Sequence, residues 1–139
     1  YTVPFGKVRV YQEGTDVSLV CVGLAVHQAL ESAETLAGMG ISAEVVDLRS
    51  LVPLDREGII ESVSKTGRLV VADEDYHSYG VSGEVFASVI EHDASIFKAA
   101  PQRVCVPDVS IPFSRPLENS ILPLADRITA AAIKTMEGK

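Results

Sequence analysis

GRLVVADEDYHSYGVSGEVFASVIE, residues 67–91, spells out half of a βαβ unit in order. Leu69, Val70, Val71 and Ala72 form a short, largely β-branched apolar run, the mark of a strand covered on both faces. Asp73, Glu74 and Asp75 follow at once, and then an aromatic and polar turn from Tyr76 to Tyr79. From Gly80 onward Val81, Val85, Phe86, Val89 and Ile90 recur at helical spacing, which predicts an amphipathic helix. In open α/β sheets the loops after the strand carboxyl ends are where ligands and partners meet the protein. Residues 73–79, read as a loop, are therefore the first candidate for a working surface.

Outward from that unit the same alternation continues. On the N-terminal side Lys7 to Gln12 alternates, with Val8, Val10 and Gln12 on one face of an edge strand whose other side is wetted. Gly14-Thr15-Asp16 is a turn, and Val17 to Val22 is a continuous apolar run that predicts the central strand. Val26, Ala29, Leu30, Ala33, Leu36 and Ala37 mark a helix stopped by Gly38 and Gly40, and Ile41 to Leu48 the next strand. Asp55, after Pro53, is placed to cap a helix with the stripe Ile59, Ile60 and Val63, closed by Gly67. On the C-terminal side a loop over 93–102 is anchored by Ile96 and Phe97, and Arg103 to Val106 is a short strand. Pro107, Pro112 and Pro116 predict an extended segment over 107–121. Pro123 is expected as the first residue of a last helix, with Asp126 in its first turn and Leu124, Ile128, Ala131, Ala132 and Met136 buried. The order β-β-α-β-α-β-α-β-α predicts an α/β fold, a mostly parallel sheet with helices on both faces, as one domain over residues 1–139.

Charge and composition narrow the function classes. With 12 basic against 19 acidic residues the net charge is −7, and no basic cluster offers a footprint for nucleic acid. No apolar run approaches the roughly 20 residues that span a bilayer, so no membrane partner is expected. The chain opens on Tyr1 and holds only Met39 and Met136, as expected of a piece of a longer polypeptide. Cys21 and Cys105 lie inside apolar runs, without metal-ligand spacing, and are expected to be buried; nothing requires an oxidising compartment, so the cytoplasm is expected.

The chemistry-bearing motifs are mostly negative. Gly23 stands alone where a dinucleotide fold would show GxGxxG, and no GxxxxGK[ST] is present. Gly80 and Gly83 lack phosphate-loop spacing and follow three carboxylates, and GVSG around Ser82 is not a nucleophile elbow. His27, in the first turn after the central strand, and His77 share the carboxyl edge of the sheet with the acids, which is raw material for acid–base work. No nucleophile, metal set or cofactor cradle accompanies them. No catalytic, cofactor-binding or metal residue is assigned; Asp73, Glu74, Asp75, Tyr76, His77 and Tyr79 are read as an interface loop.

The segments DLRSLVPLD (47–55), KTGRLVV (65–71) and PDVSIPFS (107–114) together resemble one family from Val3 to Met136. It is the C-terminal, transketolase-like domain of the E1 β subunit of thiamine-diphosphate-dependent 2-oxo acid dehydrogenases and of acetoin dehydrogenase. The resemblance implies a three-layer α/β/α fold on a five-stranded mixed sheet, in spatial order first, third, second, fourth, fifth, with the first strand antiparallel. Cys21 and Cys105 would then lie two strand spacings apart, roughly 9.5 Å, too far for a disulfide. In the family, thiamine diphosphate and Mg²⁺ sit between other domains; the GDG…Asn motif has no counterpart here, and the activating glutamate belongs to the preceding domain. The resemblance thus implies that this domain alone binds no cofactor. Its implied partners are an E1 α-type subunit or domain, a second β subunit and the peripheral-subunit-binding domain of an E2 acyltransferase. A docking role predicts exposed apolar residues around Tyr76, Tyr79, Ile111 and Phe113. The alternative, a free-standing flavodoxin-like binding module using the loops at 23–27 and 73–83, requires a concave pocket faced by His27 and His77.

Overall fold

The chain runs β1 (Arg9–Gln12), β2 (Val17–Cys21), α1 (Ala25–Gly38), β3 (Ala43–Asp47), α2 (Arg56–Thr66), β4 (Leu69–Tyr76), α3 (Val81–Asp93), β5 (Gln102–Val106), α4 (Arg115–Asn119) and α5 (Ala125–Glu137) in the computed structural model, which describes residues 1–138. The five strands form one sheet in the order β1-β3-β2-β4-β5. β1 pairs antiparallel with β3, and every other pair is parallel. This is the mixed sheet that the resemblance implies.

Continuous apolar runs make these strands because both faces are covered. Val17, Leu19 and Cys21 join Val45, Val70, Ala72 and Val104 in a core closed by Ala29, Ala33, Ile128 and Ala132 of α1 and α5. Val20, Val46, Leu69 and Val71 point the other way, onto Ile59, Val63, Val85 and Val89 of α2 and α3. All five residues of β2 are buried, as befits the central strand. Its one polar member, Ser18, is satisfied by hydroxyls on α2: Oγ lies 2.8 Å from both Ser62 Oγ and Thr66 Oγ1. The cysteines are free and face opposite sides of the sheet, Cys21 in the α1–α5 core and Cys105 against Ser82 of α3.

Asp55 caps α2 as expected and also holds the chain entering β1. One oxygen accepts from the Gly58 amide at 3.2 Å and the other from the Val8 amide at 2.9 Å. Burial alone would raise its pKa, but these two donated bonds and the Lys7 ammonium, 3.5 Å away, hold it below the ordinary carboxylate value.

Several boundaries differ from the sequence reading. In β1 a register shift between Val10 and Gln12 interrupts the expected alternation: Val8 and Val10 face the same groove against α2, Val8 packed on the α2–α3 core and Val10 partly exposed. The segment 107–121, expected to be extended, contains the short helix α4, with Pro116 in its first turn. The last helix starts at Ala125, capped by Leu124, so Pro123 precedes it rather than opening it. The most consequential change is at β4, which runs on through the acids to Tyr76.

Candidate interface at the carboxyl edge

Parallel strands place the loops after β2, β3, β4 and β5 at one edge of the sheet, and the antiparallel β1 brings the chain entry to the same edge. Large apolar side chains are left exposed along it: Leu24 after β2, Leu51 and Val52 after β3, Tyr76 and Tyr79 after β4, and Val109, Ile111, Phe113 and Leu117 after β5. Tyr79 and Phe113 stand free of the surface altogether, at 107% and 105% exposure. Large apolar side chains exposed along one edge make it the candidate for an interface.

The three acids divide. Because β4 continues through them, Asp73, Glu74 and Asp75 are strand residues and not a loop, and Asp73 is 1% exposed. A register shift between Ala72 and Tyr76 accommodates the turn that Asp73 makes, its Oδ1 accepting from the Asp75 amide at 2.7 Å. Its Oδ2 accepts from the Cys105 thiol at 3.6 Å, and Cys105 in turn lies against Ser82 in the first turn of α3. Gly80, the residue before that helix, has no side chain to cap it. Asp73 is therefore an interior anchor that ties the end of β4 to Cys105 of β5, not part of the surface loop as read from sequence. Burial raises its pKa, and the charge of Asp75 adds to that against the donated bonds. Glu74 is raised too, first by burial and then by Asp73.

The turn beyond β4 is held from outside. The His77 amide donates to the Val106 carbonyl at 2.7 Å, and Arg103 Nη1 donates to the His77 carbonyl at 2.8 Å. Ser78 donates to Asp108 twice, from its amide at 3.2 Å and from its hydroxyl at 2.5 Å. These bonds hold the exposed Asp108 carboxyl below its ordinary pKa. Tyr79 adopts φ 63°, left-handed backbone that a non-glycine residue rarely takes. At Gly80 a Cβ would lie 2.4 Å from the Tyr76 carbonyl oxygen, so only glycine closes the turn into α3.

The result is a shallow depression of about 390 Å³ lined by Tyr76, Ser78, Tyr79, Asp108, Val109 and Ser110. Of the residues singled out from sequence, Tyr76 and Tyr79 line it, while Glu74, Asp75 and His77 are exposed beside it. Asp108 was not singled out. The available signal was its place directly after Pro107 in a proline-spaced stretch, which breaks regular structure and leaves the side chain to cap a neighbouring turn. His27 and His77 are both exposed, and neither lines that depression. The depression thus lies on the β5 side of the β4–α3 turn, away from the loop at 23–27 that a flavodoxin-like module would use.

A family profile described as the transketolase C-terminal domain matches residues 6–128. The chain is 47% identical over 138 residues to the β subunit of acetoin:2,6-dichlorophenolindophenol oxidoreductase of Cupriavidus necator, covering 99% of this chain and 41% of that protein. It is 39% identical over 132 residues to the β subunit of the mitochondrial pyruvate dehydrogenase E1 component of Dictyostelium discoideum, covering 95% of this chain and 37% of that protein. Among solved structures it resembles one described as a split-gene transketolase, inactive beta4 tetramer, with a TM-score of 0.85 and 34% identity over all of this chain and 45% of that one. The chain thus spans about two-fifths of the length of the curated relatives it matches.

Proposed function

Since the chain belongs to the transketolase C-terminal domain family, we propose that it is the C-terminal domain of the β subunit of a thiamine-diphosphate-dependent 2-oxo acid or acetoin dehydrogenase, serving assembly of the enzyme. In this reading residues 1–139 are one domain of a longer subunit. The observation that carries the reading is the row of exposed apolar side chains along the carboxyl edge, with Tyr79 and Phe113 wholly outside the fold. An E1 α-type subunit or domain and a second β subunit would cover such a row, and an E2 peripheral-subunit-binding domain is a further partner. No described helix is long and apolar enough to cross a membrane, and a cytoplasmic location is proposed with the rest.

The residues of this edge do not suit thiamine diphosphate and Mg²⁺. Exposed Asp75, beside Gly80 at the N-terminus of α3, would repel a diphosphate drawn there, and Glu74 stands next to Gly23 in the β2–α1 loop. Among the described residues no three His, Cys, Asp or Glu side chains converge as metal ligands. No catalytic step is therefore assigned to this chain. The dehydrogenase reaction, on pyruvate, a branched-chain 2-oxo acid or acetoin, would be completed by the modules that carry the cofactor.

The test uses the full-length β-type subunit co-expressed with its α-type partner, with Tyr79→Asp and Phe113→Asp combined. Light scattering should show loss of the α–β assembly, and dehydrogenase activity should fall with it. Assembly unchanged by two buried charges would overturn the reading, as would micromolar binding of thiamine diphosphate to the 139-residue chain alone.

A further inference from the structure

We propose that the groove between the β4–α3 turn and the segment after β5 is a receptor for one basic side chain, an arginine above all, presented by a partner polypeptide. The inference rests on the reading of this edge as an interface and adds the chemistry of what the interface grips. Tyr76 and Tyr79 border the groove, the Tyr79 ring free to close over an occupant, with Val109 as apolar lining. A guanidinium is flat, weakly hydrated and always charged, so it stacks on such rings better than an ammonium does. Asp108 supplies the opposite charge. Ser78 ties each of its oxygens with one donated hydrogen bond, which fixes the carboxylate plane and leaves lone pairs for a fork of N–H groups. Among the described residues no cation lies within 4.0 Å of it, and Arg103 alongside is engaged with the His77 carbonyl.

Tyr79 gives an independent reason to expect an occupant. It holds φ 63° and is 107% exposed, so a strained backbone serves a ring that packs on nothing within the chain. Strain of that kind persists where a partner contact repays it. The charge favours a basic contact: the chain carries −7, so a basic segment of whichever subunit faces this groove is drawn to it.

The probe is N-acetyl-arginine amide, titrated against the 139-residue chain by heteronuclear NMR, with the neutral isostere N-acetyl-citrulline amide as its control. Arginine amide should give saturable shifts at residues 76–79 and 108–110 with a Kd on the order of millimolar, as one side chain in an open groove can supply. Citrulline amide, and arginine amide with Asp108→Asn, should bind about tenfold more weakly or worse. Tyr79→Gly should raise the denaturation midpoint by relieving the backbone while weakening arginine binding about threefold or more, a combination that a purely structural tyrosine would not produce. Equal binding of the citrulline and arginine amides, or shifts that grow without saturating, would overturn the proposal. If assembly proves sensitive to Tyr79 and Phe113 while arginine amide does not bind, this inference alone fails. If arginine amide binds while assembly ignores those residues, the assembly reading fails instead.

Discussion

Asp55 and Asp73 are both buried carboxylates that accept from backbone amides, yet their protonation equilibria move in opposite directions, and stability should follow. Asp55 is held below its ordinary pKa, so the unfolded chain binds its proton more readily. Its contribution is present above the unfolded carboxylate value and is lost as pH falls through the lower folded value. Asp73 is raised, chiefly by burial, so the folded chain binds its proton more readily. Its contribution is complete below the unfolded value and is lost as pH rises through the folded one. Urea titrations across the acid range should show the stability gap between wild type and Asp55→Asn closing as pH falls. The gap between wild type and Asp73→Asn should shift in favour of wild type over the same range. At neutral pH Asp55→Ala removes a cap and the Val8 amide bond together and should cost about 1–2 kcal/mol. Asp55 was legible in sequence because a capping acid after a proline turn is a local signal. Asp73 was not: its partner Cys105 lies on another strand, backed by Ser82 of α3, and three acids in a row argue for a loop when read alone.

At the level of elements, α3 shows why two glycines of one helix start are not equivalent. A Cβ on Gly80 would meet the Tyr76 carbonyl oxygen at 2.4 Å, whereas one on Gly83 meets nothing within 4 Å. Gly80→Ala should therefore destabilise by about 1–3 kcal/mol, because backbone has to move to admit the methyl. Gly83→Ala, already inside the helix, should stabilise by roughly 0.5–1 kcal/mol through reduced freedom of the unfolded chain. Parallel urea unfolding of the two variants checks both signs. The helices α1, α2, α3 and α5 were legible because each buries a stripe at 3.6-residue spacing. α4 was not, because it spans five residues and buries none of them, so no apolar period announces it. The extension of β4 to Tyr76 was hidden for the complementary reason: past Ala72 the strand has only one buried residue, and its register to β5 slips.

For the whole molecule, the sheet separates two cores, and the two thiols report on them separately. Cys21 sits at the centre of the sheet under α1, while Cys105 lies on the outermost strand β5, under the first turn of α3. The α/β layering was legible from the alternation of runs, but the position of β5 at the edge came only with the family resemblance, since strand order leaves no mark on local sequence. Edge position makes a physical difference. To expose Cys21 the chain has to part β2 from neighbours on both sides, which amounts to unfolding the molecule. To expose Cys105 only β5 must part from β4, against the Arg127 guanidinium that grips the Cys105 carbonyl at 3.0 Å and those of Ile121 and Leu122 at 2.7 and 2.8 Å. Burial pushes the Cys105 thiol up to about 11, so labelling at neutral pH waits for that opening instead of proceeding in the folded state. Thiol labelling under native conditions should therefore modify Cys105 well before Cys21, with a weaker dependence on denaturant, the mark of a sub-global opening. Arg127→Met should speed labelling of Cys105 while leaving that of Cys21 tied to global stability. Identical rates and identical denaturant dependence for the two cysteines would mean that the edge strand and the centre open as one unit, and that the apolar carboxyl edge is presented to its partners on a scaffold with no soft side.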